Sequence, residues 1–238
     1  MSGHSKWSTI KHKKAKEDSK RGKVFTKLIK EISVAAREGG GDIEGNPKLR
    51  TLVDKAKAVN MPHDNITRAI KKATGELGGV AYEAIMYEGY GPLGTAVMVE
   101  TLTDNKKRTV ADLRHAFVKN GGNLAEGGAV AWMFEHKGVV RATGSLSEDQ
   151  LMEKLLDYDV NDISLHDGIF TVTCSLHDLE HVKHVMTVAG MHLEDAKVEW
   201  VAKSPMSLSE EEQEEKVFKF LEDLQDLDDV RDVYSNLA

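Results

Sequence analysis

The chain has 238 residues and carries 32 Lys and Arg against 39 Asp and Glu, a net charge of −7. The balance is uneven: residues 1 to 75 hold 18 cations and 8 acids, the remainder 14 and 31, so the chain is +10 in front and −17 behind. Such asymmetry excludes a uniformly acidic surface and points one end towards nucleic acid or another anionic partner.

A single cysteine, Cys174, excludes an internal disulfide framework. No run of about 18 apolar residues exists to span a membrane, and Met1 leads into polar, cationic sequence rather than the apolar core of a signal peptide. Lys dominance with Glu17 and Asp18 also differs from an Arg-rich transit peptide. The expectation is a cytoplasmic protein of about two or three domains with no membrane partner.

The chain opens on a basic arm in which Lys6, Lys11, His12, Lys13, Lys14, Lys16, Lys20, Arg21 and Lys23 face only Glu17 and Asp18. Trp7 and Ile10 are the sizeable apolar groups of residues 1 to 20, too little to offset the entropy of ordering, so the arm is expected to be mobile until a polyanion holds it. Its cations are candidates for phosphate contact driven by counterion release, and Trp7 for stacking on a base. The other reading of Trp7 and Ile10 is docking on the neighbouring helices. After loss of Met1, Ser2-Gly3-His4 would offer a tetragonal nitrogen set suited to Cu(II) or Ni(II), a chemical liability rather than a function.

From Lys23 onwards Val24, Phe25, Leu28, Ile29, Ile32, Ala35 and Ala36 recur at helical spacing until "GGGDIEG" breaks the pattern. A second helix follows, with Asn46 as N-cap and Pro47 at its first position. Ile66, Ala69, Ile70 and Ala73 mark a third, whose Arg68, Lys71 and Lys72 fall opposite the apolar stripe. Together they predict a small basic three-helix bundle.

The period changes near Tyr82. "YEAIMYEG" and "TAVMVETL" read as strands around a Gly-rich turn, "KRTVADLRHAFVKN" as a helix and "GAVAWMF" as a further strand. Residues 137 to 203 then give strands and helices in the order βαββαβ, that of a ferredoxin-like fold. After Pro205, Ser209 with Glu212 reads as a capping box ahead of a helix bearing Val217, Phe220, Leu221 and Leu224, followed by a short "VRDVY" strand. That tail lacks partners of its own and is expected to return to the central unit. The expected fold class is therefore α+β with three domains. These are a basic arm and bundle over 1–78, a discontinuous α+β domain over 79–136 with 204–238, and a ferredoxin-like α+β domain over 137–203 inserted in it.

The stretches "GHSKW", "HKKAKEDSKRGKVFTKLIKEI", "NPKLRTLVDKAKAVNMPHDNITRAI", "YEGYGPLGTAVMVETLTDNKKRTVADLRHAF" and "GGNLAEGGAVAWMF" stand in register over nearly the whole chain. With them the chain resembles the YebC family. The resemblance implies the same three domains. It also implies a DNA-binding transcriptional regulator or, as in relatives including a mitochondrial translational activator, a factor acting on translating ribosomes through ribosomal RNA.

Three further motifs bear on chemistry. "TDNKKRT" puts Lys106, Lys107 and Arg108 in the first turn of a helix, where cations oppose the helix dipole; with the backbone N–H groups they form a candidate phosphate site. "GYGPLG" fits G-x-G-x-x-G, but the strand-like "TAVMVETL" follows where a dinucleotide site needs a helix, so a hairpin loop is expected. "HDLEH" matches a zinc-peptidase spacing, yet His177, His181 and His184 lie opposite the apolar face of their helix. The zinc hydrolase is the alternative from another class. Cys174 reads as a core residue, and no cofactor or metal is expected.

Overall fold

The protein is described by a computed structural model over residues 21–77 and 81–237. The arm residues Lys6, Trp7, Lys11, His12, Lys13, Lys14, Lys16 and Lys20, and the Ser2-Gly3-His4 amine site, lie outside the described residues.

Three helices come first among the described residues: α1 (Arg21–Gly39), α2 (Pro47–Ala58) and α3 (His63–Ala73). The Asn46 side chain accepts from the Leu49 N–H at 3.1 Å and donates to the Ala35 and Gly40 carbonyls, both at 2.9 Å. One buried amide thus caps α2 and ties it to the end of α1. Leu28, Ile32, Leu49, Leu52, Val53, Ala56 and Ile66 form the shared core.

The second unit is a four-stranded antiparallel sheet in the order β3-β1-β2-β8, built from β1 (Glu83–Tyr90), β2 (Ala96–Thr103), β3 (Asn123–Ala125) and β8 (Val230–Ser235). Helices α4 (Lys106–Lys119) and α7 (Glu211–Gln225) cover one face. The period of two in β2 sorts its residues: Val97 and Val99 turn towards Leu113, Phe117, Phe220 and Leu221, while Ala96 and Met98 meet Val130, Phe134 and Tyr234 on the other side. Phe117 and Phe220 meet edge to face with centroids 5.0 Å apart.

The third unit is a sheet in the order β5-β6-β4-β7, with every adjacent pair antiparallel. Its strands are β4 (Phe134–Thr143), β5 (Val160–His166), β6 (Ile169–Cys174) and β7 (His192–Ala202), with α5 (Glu148–Leu155) and α6 (Leu179–Val188) over one face. Chain order and strand order are those of a ferredoxin-like fold. On the opposite face Arg141, 1 % exposed, meets Glu199 in two parallel hydrogen bonds of 3.0 and 2.9 Å. Lys197 of β7 reaches Asp232 of β8 at 3.4 Å, linking the two sheets.

Two local expectations are corrected. Residues 128–134 do not form a strand: Ala131–Met133 is a short 3₁₀ turn, and only Phe134 onwards is extended. The buried Glu88 carboxylate accepts from the Gly128, Val130 and Ala131 N–H groups, which a strand would have offered to a neighbour. The Ser209–Glu212 capping box is also absent: Glu210 is the N-cap of α7 and makes no side-chain cap bond.

The "GYGPLG" hairpin loop is explained by packing. A Cβ on Gly91 would overlap the Phe220 ring, one on Gly89 the Phe117 ring, and one on Gly122 the Tyr90 carbonyl. These glycines let sheet, loop and helices approach closely, and β2 follows directly where a nucleotide-binding helix would have to start.

Candidate nucleic-acid interface

The cations separate by what they face. Along α1, Lys23, Lys27 and Lys30 recur at spacings of four and three, so their side chains leave one flank of the helix. That flank meets the C-terminal end of α7. Lys23 Nζ donates to the Asp226 carbonyl at 2.9 Å, Lys27 to that of Gln225 at 2.5 Å, and Lys30 to that of Asp228 at 2.8 Å. The ammonium groups of Lys23 and Lys27 thus satisfy carbonyls that a helix end leaves without intrahelical partners, and that of Lys30 a carbonyl of the turn that follows. Lys23, expected to hold phosphate, is turned inward to Asp226, with its ammonium 3.3 Å from the carboxylate.

Asp229 is the centre of this contact. Its carboxylate, 6 % exposed, accepts from Lys30 at 2.6 Å, from Arg108 through Nε and Nη2 at 3.2 and 2.9 Å, and from the Thr109 hydroxyl at 2.8 Å. Burial alone would raise this carboxyl, but the hydrogen bonds from Lys30, Arg108 and Thr109 outweigh it and hold it below the usual range. Lys27 behaves oppositely: burial outweighs the nearby Asp226 and pushes its ammonium down to about 8. A cleft of about 630 Å³, bordered by Lys23, Lys30, Tyr82, Asp104, Arg108, Asp112 and Asp226, opens beside them.

The cations at the start of α4 are therefore mostly engaged. Lys106 pairs with Glu83 at 2.7 Å, and Arg108 with Asp104 at 2.7 Å besides Asp229. Asn105 caps the helix by accepting from the Arg108 N–H at 3.1 Å, which removes one donor a phosphate would need. Lys107 is exposed and has no ion-pair partner among the described residues. Three cations opposing one helix dipole were legible as an anomaly; the acids that compensate two of them were not.

Arg68, Lys71 and Lys72 are different. All three are exposed in the second half of α3, without an ion-pair partner among the described residues. The charges of Lys71 and Lys72, in the last turn, suit the negative end of that helix dipole. Arg21 opens α1, where the described residues begin.

The histidine motif brings the His177 and His181 rings within 5.9 Å, centroid to centroid, but builds no metal site. His177, His181 and His184 are exposed, and among the described residues no group of three His, Cys, Asp or Glu could hold a metal. Cys174 is buried beside Phe170 and Val172, and burial pushes its thiol up to about 11, far from a reactive thiolate. Among the described residues no helix is long and apolar enough to cross a membrane.

A helical bundle joined through Lys23, Lys27 and Lys30 to the first of two α+β units, each with its own antiparallel sheet, defines the class of fold. The family descriptions agree with this division. The TACO1/YebC protein N-terminal domain matches residues 5–76, and the TACO1/YebC second and third domain matches residues 82–237. The chain belongs to the TACO1/YebC family.

A protein of Desulfotalea psychrophila named as a probable transcriptional regulatory protein is 53 % identical over 212 residues, 89 % of this chain and 85 % of that one. One of Chlorobium phaeovibrioides with the same name is 54 % identical over 210 residues, 87 % and 84 % of the two chains. The crystal structure of a conserved hypothetical protein from Aquifex aeolicus, 44 % identical, superposes with a TM-score of 0.81 over 96 % of this chain and 95 % of that one.

Proposed function

We propose that this protein is a non-enzymatic, nucleic-acid-binding regulator of gene expression that grips phosphates with its N-terminal domain. The observation that carries the reading is the exposed group Arg68, Lys71 and Lys72, in the same N-terminal part of the chain as the basic arm and free of ion-pair partners among the described residues. The acidic remainder of the chain orients this end: Lys23, Lys27 and Lys30 fix the bundle to α7 and leave its other cations outward. The names of the relatives favour DNA as the target. A second reading, ribosomal RNA met by a translation factor, is favoured by the arm's Lys-rich composition, since Lys is a point charge suited to any phosphate backbone rather than to bidentate reading of guanine.

Deleting residues 2–20 tests the shared claim. Each phosphate contact contributes about −0.9 to the slope of log K against log salt on duplex DNA and about −0.7 on single strands, so the slope is expected to flatten by about 4 units or more. An unchanged slope in a protein shown to be folded by circular dichroism rejects the reading. Co-sedimentation with ribosomes that survives DNase selects RNA; selective recovery on particular promoter DNA selects transcription.

A further inference from the structure

Trp132 is 68 % exposed, yet the turn that carries it is held by hydrogen bonds from elsewhere in the chain. Glu88, 6 % exposed, points its carboxylate into the turn and accepts from the Gly128, Val130 and Ala131 N–H groups at 2.7, 2.7 and 2.8 Å. The Tyr90 hydroxyl donates to the Ala129 carbonyl at 3.2 Å, and the Lys203 N–H to that of Met133 at 2.9 Å. Burying a carboxylate is costly unless it is fully hydrogen-bonded, and a mere connection needs no such device. What the brace fixes is the indole.

The polar groups of Trp132 are already satisfied. Its Nε1–H donates to the Ala129 carbonyl at 3.1 Å, and its own carbonyl accepts from Lys203 Nζ at 2.9 Å. The residue therefore offers a ligand only the face of its ring. Its neighbours in sequence, Gly127, Gly128, Ala129 and Ala131, have side chains too small to extend the ring into an apolar patch of the roughly 800 Å² per partner that a stable protein interface covers. A single flat ring fits such a surface.

One cation stands at this residue: Lys203 is exposed, with its ammonium on the Trp132 carbonyl at 2.9 Å. Of the two acids nearby in sequence, Glu135 is paired with Lys137 at 3.5 Å and Glu126 opens the turn. We propose that the Trp132 indole is a stacking platform for one unpaired base of single-stranded nucleic acid, with Lys203 beside it for the phosphate. This rests on the nucleic-acid reading above and adds a contact on the acidic part of the chain, separate from the bundle.

The test measures anisotropy of a labelled single strand of roughly 12 nucleotides, as RNA and as DNA, and of the matched duplex, over a salt series with full-length protein. Trp132→Ala removes no core contact and is expected to weaken single-strand binding about 5- to 150-fold while leaving the salt slope unchanged, because stacking releases no counterions. Trp132→Phe keeps an aromatic face and is expected to retain most of the affinity. Duplex binding stays within about twofold, because paired bases are not free to stack outside the helix. Unchanged single-strand affinity in folded Trp132→Ala protein overturns the proposal and leaves the indole to a protein partner. Equal losses on duplex and single strand overturn it too. If arm deletion abolishes binding and Trp132→Ala does not, only this inference falls; if the wild-type protein binds no nucleic acid, the functional reading falls with it.

Discussion

Arg108 and Asp229 join two helix ends that each carry charge of the unfavourable sign. Arg108, with Lys106 and Lys107, sits where α4 presents the positive end of its dipole; Asp229, with Asp226 and Asp228, follows the negative end of α7. Apart, each cluster would destabilise its helix. Together, with Lys30 from the bundle as a third partner, they form the contact that holds the first unit of the chain against the second.

Asp229→Asn is expected to destabilise the protein by about 3 kcal/mol, the lower end for breaking a buried ion pair, because Arg108 keeps Asp104 and Lys30 keeps the Asp228 carbonyl. Urea unfolding at pH 7 measures it, and adding Lys30→Met should recover part of the loss. The carboxyl is held below its ordinary value of 3.8, so its contribution is complete above that pH and disappears as the pH falls through the lower folded-state value. The gap between wild type and variant therefore closes in acid.

Lys27 gives an alkaline signature of opposite sense. Its folded-state value of about 8 lies below the ordinary 10.5, so between these limits the unfolded chain holds a proton that the folded protein has released. Stability is expected to rise with pH across that window, by about 2–3 kcal/mol at most. Tyr234, whose hydroxyl is raised by burial and by Glu100, reverses the trend once unfolded tyrosines ionise near pH 10. Urea midpoints from about pH 7 to 11 should pass through a maximum, and Lys27→Met should remove the rising limb.

Gly91→Ala separates packing from phosphate binding in the hairpin loop. The backbone there has φ −82°, which alanine adopts freely, so the whole effect comes from the methyl against Phe220. A loss of about 1–3 kcal/mol is expected from overpacking. Thermal unfolding checks it; a variant as stable as the wild type would show that Phe220 yields at no cost.

Combined Arg68→Glu, Lys71→Glu and Lys72→Glu is expected to flatten the salt slope by about 2–3 units, one phosphate contact each. Lys106→Glu is expected to change the slope by less than about half a unit, since its ammonium already faces Glu83. Equal effects from the two variants would mean that the pairing at the start of α4 opens on nucleic acid.

Features set by neighbouring residues were legible in the sequence. Asn46 and Pro47 announce α2, the period of two sorts the faces of β2, and the βαββαβ order of the third unit follows from alternating apolar patterns. Where reading failed, a distant group had intervened. Glu88 draws in the amides of "GAVAWMF" from 40 to 43 residues away, and an apolar, strand-like stretch becomes a turn. The acceptors answering Lys23, Lys27 and Lys30 lie about 200 residues further on, a separation no local pattern encodes. The spacing of those lysines did mark one helix flank; only its destination was hidden.

The closing strand has a consequence for biosynthesis. β8 completes the central sheet against β2, and the residues just before it supply every acceptor used by Lys23, Lys27 and Lys30. Lys27 and its partner Gln225 are 198 residues apart, a distance covered in about 10–40 s of translation at 5–20 residues per second. Over that interval the helical bundle, whose contacts are local, can fold while its lysine flank still lacks partners. The nascent protein is thus more cationic on this flank until residues made about 200 positions later arrive to neutralise it.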